Sequence, residues 1–251
     1  MWFWGIIVAF SMVILALTIT LLIKNKEKTL IKVKIVDVLT DEEKKKLDKL
    51  VEVVLKRFQK QKISYFFAFG SLIGAIRHGQ RIPWDDDVDI LMNEKDKEKL
   101  VEGLKVIGKS GGTTLYQLDE EYTILYKDWG CPVKITQKDG DFPFIDIFRF
   151  YEKGDKIIAP PEQLKNGHIK EFEVKKSDIF PLKEAKFGKH KVKIPNKSTK
   201  ILKQNFGNDV LTKCHVQFIH KPSGLPYDYK QQKEVFPTKL LEKKWVTPKI
   251  Y

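Results

Sequence analysis

The stretch that decides the reading is FGSLIGAIRHGQRIPWDDDVDILM, residues 69–92, which sets Asp85, Asp86, Asp87 and Asp89 into five consecutive positions and ends on Ile90, Leu91 and Met92. Carboxylates crowded together repel one another and resist burial, yet the apolar residues threaded among them have the pattern of a buried strand. Strand alternation puts Asp87 and Asp89 on one face and Val88 and Ile90 on the other. Two carboxylates one strand pitch apart can grip a single divalent cation, and a bound Mg²⁺ or Mn²⁺ would cancel their repulsion with the hard oxygen ligands such ions prefer. Asp146, in PFIDIFRF, has the same apolar neighbours and reads as a third acid delivered from an adjacent strand.

Upstream, Gly70 and Ser71 end one apolar run and begin a short helical one, where backbone N–H groups can hold a phosphate. Arg77, His78 and Arg81 lie between that turn and the aspartates, close enough in sequence to contact the same ligand. A Gly-Ser pair alone says little. Followed by an Asp-x-Asp and a further strand aspartate, it points to a nucleotidyltransferase-type site binding a metal and a phosphate. Trp84 reads as a packing residue that fixes the loop.

Outward from this centre, TDEEKKKLDKLVEVVLKRFQKQK begins with a capping box, Thr40 with Glu43. It carries Leu47, Leu50, Val51, Val54, Leu55 and Phe58 at helical spacing, a stripe that belongs to a core. SYFFAFG predicts a buried strand, SLIGAIRHG a short helix, VDILM a second strand, and EKDKEKLVEGLKVIGKSGG a polar-faced helix ending at its glycines. TTLYQL, YTILYK, PVKITQK and PFIDIFRFYEK predict four further strands, with turns at 128–132 and 139–141. Beyond residue 159 the pattern is less regular, and STKILKQNFGND is its clearest helix. The expected fold is α+β, a mixed sheet flanked by helices.

The 251 residues carry a formal net charge of +13, which suits a phosphate-bearing partner without choosing among nucleotides, nucleic acid and anionic membranes. Cys131 and Cys214 are too few for a disulfide framework and lack metal-ligand spacing. Residues 2–23 hold no charge, which at 1.5 Å per residue is enough to cross about 30 Å of hydrocarbon. Residues 1–23 therefore read as a retained single-pass anchor, with Trp2 and Trp4 at one interface and Lys24, Lys26 and Lys28 at the other. Residues 24–38 read as a basic connector, with a short strand in LIKVKIVDV, and 39–251 as the catalytic domain.

The residues 70–92 also resemble the signature of the LicD family, which includes bacterial phosphocholine transferases and the animal fukutin and fukutin-related ribitol-phosphate transferases. Its pattern runs roughly G-[TS]-L-L-G-x-h-R-x-x-x-h-I-P-W-D-D-D-h-D-h, h being apolar. FIDIFRFYEK and DIFPLKEAKFGKHKVKIPNKSTKILKQNFGND resemble later segments of the family, so the likeness runs from residue 66 to 209. It implies a nucleotidyltransferase-like fold and an enzyme that moves phosphocholine or ribitol phosphate from a CDP-alcohol donor onto the hydroxyl of a glycan or glycoconjugate acceptor. Nucleic acid is not expected as a partner.

The resemblance carries Asp87 and Asp89 over as metal ligands, Asp85 as an accessory ligand or supporting acid, and Asp146 as the third acid. The general base is left between Asp146 and Asp85, and Arg77 or Arg81 would steady the leaving phosphate. Phe206 stands where the family usually has Tyr, and the cysteine cluster of some animal members is missing. An enzyme adding nucleotides from an NTP and a non-catalytic basic membrane protein are the competing classes. Lysines after the apolar segment place the large domain in the cytoplasm, as in bacterial relatives, whereas the animal relatives are type II proteins with a Golgi lumenal domain. The anchor and the family together favour the lumenal arrangement, for which Asn196-Lys197-Ser198 offers a glycosylation acceptor.

Overall fold

The computed structural model describes residues 15, 17–20, 39–127, 132–140, 142–159, 173–215 and 235–237. The chain divides into two compact units, Met1–Val36 and Asp37–Tyr251. In the first, Leu15 and residues 17–20 are helical and exposed, and the rest of the expected anchor lies outside the described residues. Among the described residues no helix is long and apolar enough to cross a membrane. The expected strand in LIKVKIVDV, the turn at 128–131 and Cys131 also lie outside them.

The second unit opens with α1 (Asp41–Lys60), whose capping box is present as expected: Thr40 Oγ1 accepts from the Glu43 N–H and Glu43 accepts from the Thr40 N–H. Leu47, Leu50, Val51, Val54 and Phe58 are buried along one face, each contributing about 1.5–3 kcal/mol by leaving water. β1 (Tyr65–Phe67) runs into α2 (Phe69–Ile73), which continues as a π-helical turn over Gly74–His78 and stops at Gly79. β2 (Val88–Asn93), a 3₁₀ turn and α3 (Lys97–Val101) follow.

The long helix expected over 94–112 breaks at Val101, and β3 (Lys105–Ser110) takes its second half. Gly103 adopts a φ of 70°, which ends the helix. Gly111 and Gly112, both at positive φ, make the tight turn into β4 (Thr113–Gln117) and do not cap a helix. The adjacent β-branched pair Val106-Ile107 is a strand signal that the charged run before it obscures.

β5 (Tyr122–Lys127), β6 (Val133–Gln137) and β7 (Phe144–Lys153) occupy the segments expected for them. The sheet runs β1-β2-β7-β6-β5-β4-β3, and β8 (Lys156–Ile158) and β9 (Glu173–Lys175) extend it from β7. Only the β2–β7 pair is parallel among the strands of that path; the others are antiparallel.

α4 (Lys176–Ile179) precedes the hairpin β10 (Lys183–Phe187) and β11 (His190–Ile194), which the sequence reading left irregular. α5 (Ser198–Phe206) forms where STKILKQNF was expected to. A last pair, β12 (Lys213–His215) with β13 (Val235–Pro237), completes the described chain.

Both faces of the sheet are covered at β1, β2 and β7. Phe58 of α1 stacks 4.6 Å from Tyr65, and Phe187 of the hairpin meets Phe67 edge-on at 5.0 Å, on the face shared by Ile90 and Met92. On the other face Phe66, Leu91, Phe148 and Phe150 form one core with Ile179 of α4 and Ile201 of α5. Asp89 and Asp146 belong to this second face, at the end of the strands where α2 begins.

Candidate functional site

β2 and β7 set Asp89 and Asp146 directly opposite each other. Strand spacing puts such a pair about 5 Å apart. Parallel pairing is what allows this, because it brings together two segments more than fifty positions apart without reversing either apolar pattern. Asp89 is partly buried, and its backbone N–H donates to Ser71 Oγ at 2.8 Å. Burial, then the neighbouring Asp87, Asp85 and Asp146 charges, push its carboxyl well above the ordinary carboxylate range; the Gly70 N–H, donating to it, pulls the other way. An acid crowded by three other carboxylates is the arrangement that a cation relieves.

The loop before β2 is not strand. β2 starts at Val88, so Asp87 belongs to the loop, and the alternation expected to begin there begins one residue later. Arg81 Nη1 organises the loop by donating to the carbonyls of Ile82 (2.7 Å), Pro83 (2.9 Å) and Asp85. The Asp85 N–H closes a turn onto the Ile82 carbonyl, and Trp84 is buried, edge-on to His78 at 5.8 Å.

Held this way, Asp85, Asp86 and Asp87 each offer an oxygen within 4.8 Å of the others. Asp86, wholly buried, was not singled out from the sequence. Strand logic sends it to the opposite side from Asp87, and only the loop's turn brings the three together. These oxygens, hard donors in a tight group, fit a divalent cation such as Mg²⁺ or Mn²⁺. Asp85, Asp86, Asp87 and Asp89, with Asp146 alongside, are the residues that could hold one.

The helix start is equally specific. Phe69 has a φ of 45°, a left-handed backbone that a bulky residue adopts at a cost of about 1–2 kcal/mol. Its ring meets Phe148 edge-on at 5.3 Å, packing that holds the turn. The turn swings Gly70 against the loop: a Cβ at Gly70 would sit 2.6 Å from Asp85 Oδ2. A Cβ at Gly74 would sit 2.6 Å from the Gln80 carbonyl, so the π-helical turn and the following loop approach as closely as glycine allows.

The two arginines proposed from sequence are engaged with main chain. Besides the Arg81 contacts, Arg77 is buried, its Nε bonded to His78 Nε2 at 2.9 Å and its Nη1 donating to the carbonyls of Val210 (2.9 Å) and Lys213 (3.0 Å). Arg77 thus ties α2 to the chain that follows α5. A basic residue that sequence reasoning missed stands at the acids instead: Lys134 on β6 pairs in register with Asp146, with Nζ 3.5 Å from Asp146 Oδ1. The available signal was a lysine set between the apolar residues Val133 and Ile135 in PVKITQK.

A mixed α+β sheet, a strained strand-to-helix turn bearing Gly70 and Ser71, and carboxylates gathered from a loop and two neighbouring strands define a nucleotidyltransferase-type domain. The chain belongs to the LicD family: residues 62–197 match LicD/FKTN/FKRP, nucleotidyltransferase domain. It is 48% identical over 109 residues to the lipopolysaccharide cholinephosphotransferase LicD of Haemophilus influenzae, covering 41% of this chain and 41% of that protein. It is 30% identical over 137 residues to an uncharacterised protein of Rickettsia prowazekii, covering 55% of this chain and 45% of that one. The chain thus spans less than half the length of these curated relatives. Its likeness to the solved structure of ANT(2")-Ia in complex with adenylyl-2"-tobramycin is slight, with a TM-score of 0.32 and 12% identity over 59% of this chain and 67% of that one.

Proposed function

We propose that the domain formed by residues 39–251 transfers a phospho-alcohol, phosphocholine or ribitol phosphate, from a CDP-activated donor to a hydroxyl of a glycan or glycoconjugate, with Mg²⁺ or Mn²⁺ as cofactor. The observation that carries this reading is the in-register pair Asp89 and Asp146 beside the Asp85–Asp87 cluster, in a chain of the LicD family. The cholinephosphotransferase relative in H. influenzae supports the choice of group transferred.

The acceptor oxygen forms a bond to the phosphorus that bears the alcohol, the bond from that phosphorus to the CMP oxygen breaks, and the electron pair leaves with CMP. A divalent cation, held by Asp87 and Asp89 with Asp85 and Asp86 in support, would supply charge neutralisation on the diphosphate. Ser71, at the start of α2, presents its backbone N–H to a phosphate oxygen, and Gly70, without a side chain, leaves room for that phosphate while its own N–H holds Asp89. Asp146, at the edge of the acid row, takes the proton of the acceptor hydroxyl. Arg81 keeps the aspartate loop in shape through its main-chain bonds, and Arg77 fixes the helix that carries Gly70 and Ser71.

Incubating the full-length protein with Mn²⁺ and a panel of CDP-alcohols tests this reading: donor-dependent release of CMP is expected, and Asp87→Asn and Asp89→Asn should each abolish it. Normal turnover in either variant refutes the metal role. Pyrophosphate release from an NTP, with no CMP from any CDP-alcohol, makes the protein a nucleotide-adding enzyme instead. The uncharged run at residues 2–23 and the lysines after it support a single-pass anchor for this domain. Extraction of the full-length chain from membranes by alkaline carbonate would overturn that anchor, and protease protection in sealed vesicles assigns the side on which the domain lies.

A further inference from the structure

Across three adjacent strands of the sheet, one row reads Lys134, Asp146, Asp89: Lys134 of β6 is in register with Asp146 of β7, and Asp146 with Asp89 of β2. Directly paired residues point their side chains to the same face, so an ammonium group closes the row of acids on the side away from α2. Two contacts hold it there. Its Nζ lies 3.5 Å from Asp146 Oδ1 and 3.1 Å from the centre of the Phe144 ring, and Phe144 shares that face with Asp146 two residues on. The side chain keeps 31% of its exposure, so the ammonium sits at the mouth of the acid row and meets both the carboxylates and solvent.

A diphosphate arriving at clustered carboxylates needs more positive charge than one divalent ion brings. Arg77 and Arg81 spend Nη1 on the carbonyls of residues 210 and 213 and of 82, 83 and 85. Arg149 is tied to Glu94 at 3.1 Å, on the face of β7 opposite Asp146. Lys134 is placed differently: its ion pair with Asp146 is longer than a hydrogen bond, and its four-carbon stem lets Nζ reach a phosphate oxygen while staying over Phe144.

We infer that Lys134 is a substrate-binding residue that contacts the donor's diphosphate, leaving its ion pair with Asp146 to meet a phosphate oxygen as the donor enters. The inference rests on the reading of the aspartate row as the donor site.

The test uses full-length wild type, Lys134→Met and Lys134→Arg, stripped with EDTA, with Mn²⁺ binding followed by calorimetry and then inorganic pyrophosphate titrated in excess Mn²⁺. Lys134→Met should keep Mn²⁺ affinity within about threefold of wild type and lose pyrophosphate affinity by about tenfold or more, the scale of one charge-assisted hydrogen bond. Lys134→Arg should restore most of it. Equal pyrophosphate affinity in wild type and Lys134→Met overturns the inference, as does a parallel loss of Mn²⁺ and pyrophosphate binding, which marks Lys134 as structural. CMP release by wild type with unchanged pyrophosphate affinity in Lys134→Met sinks this inference alone. Pyrophosphate bound through Lys134, with no CMP released from any CDP-alcohol, leaves Lys134 a phosphate contact and sinks the donor reading.

Discussion

Replacing Asp89 by Asn should make the protein more stable without a cation and inactive with one. Asp89 is partly buried beside Asp146, Asp87 and Asp85, and its carboxyl is pushed up by desolvation and those charges. Two carboxylates about 5 Å apart repel by about 3 kcal/mol at an effective dielectric constant near 20, and by about 2 kcal/mol if the side chains relax to about 7 Å. Asn removes the charge at nearly equal volume and still accepts from the Gly70 N–H. A gain of about 2–3 kcal/mol corresponds to a rise of roughly 5–10 °C in Tm for a domain of this size.

The pH dependence has a definite sign. A carboxyl whose folded value lies above its unfolded value of about 3.9 contributes stability that is fully present below that value and lost as pH rises through the folded one. In EDTA, wild-type Tm should therefore fall from acid to neutral pH more steeply than that of Asp89→Asn, and millimolar Mn²⁺ should raise wild type well above the variant's response. Thermal melts of both proteins at about pH 4 and about pH 7, with EDTA and with Mn²⁺, make the comparison. If Asp89→Asn is no more stable than wild type in EDTA at neutral pH, or gains as much from Mn²⁺, the crowded-carboxylate account fails.

Gly70→Ala would drive a methyl group into Asp85 Oδ2, 2.6 Å from its Cβ; CMP release should drop by about 100-fold while the far-ultraviolet circular dichroism is kept. Arg81→Met removes the donor shared by the carbonyls of residues 82, 83 and 85; it should cost about 2 kcal/mol in chemical denaturation and weaken Mn²⁺ binding in calorimetry. Asp178, buried on α4, takes hydrogen bonds from Lys197 at 2.7 Å and Lys200 at 2.5 Å, which hold its carboxyl below the usual range. That contribution is present above the unfolded value and lost as pH falls through the folded one. With both lysines about half exposed, Asp178→Asn should cost about 1 kcal/mol at neutral pH and nothing once both forms are protonated, read from paired melts.

What was legible from the chain alone is what local chemistry encodes. The Thr40–Glu43 box and the stripe from Leu47 to Phe58 need no partner to be recognised, because a helix brings positions three and four apart together wherever it forms. The strands at 122–127, 133–137 and 144–153 announce themselves by β-branched and aromatic residues between turn formers. The motif at 69–92 marked the site because its glycine, serine and aspartates answer to phosphate and cation chemistry directly. The charged run over 94–112 misled, since lysines and glutamates favour a helix locally while β4 offered KVIGKS a partner twelve or fewer positions away.

The assembly of the site was decided elsewhere. That Asp146 stands opposite Asp89, and Lys134 opposite Asp146, follows from strand order and register, which are set by contacts between segments far apart in the chain. Arg77 and Arg81 read as ligand contacts from their place in the motif, yet their Nη1 atoms satisfy carbonyls of loops that only the folded chain brings within reach. Asp86 joined Asp85 and Asp87 because a loop, free of strand alternation, turned it inward. The sequence determined which chemistry was present, since side-chain identity is local; the tertiary structure decided which groups meet, since buried polar and charged groups must find their partners across the whole fold.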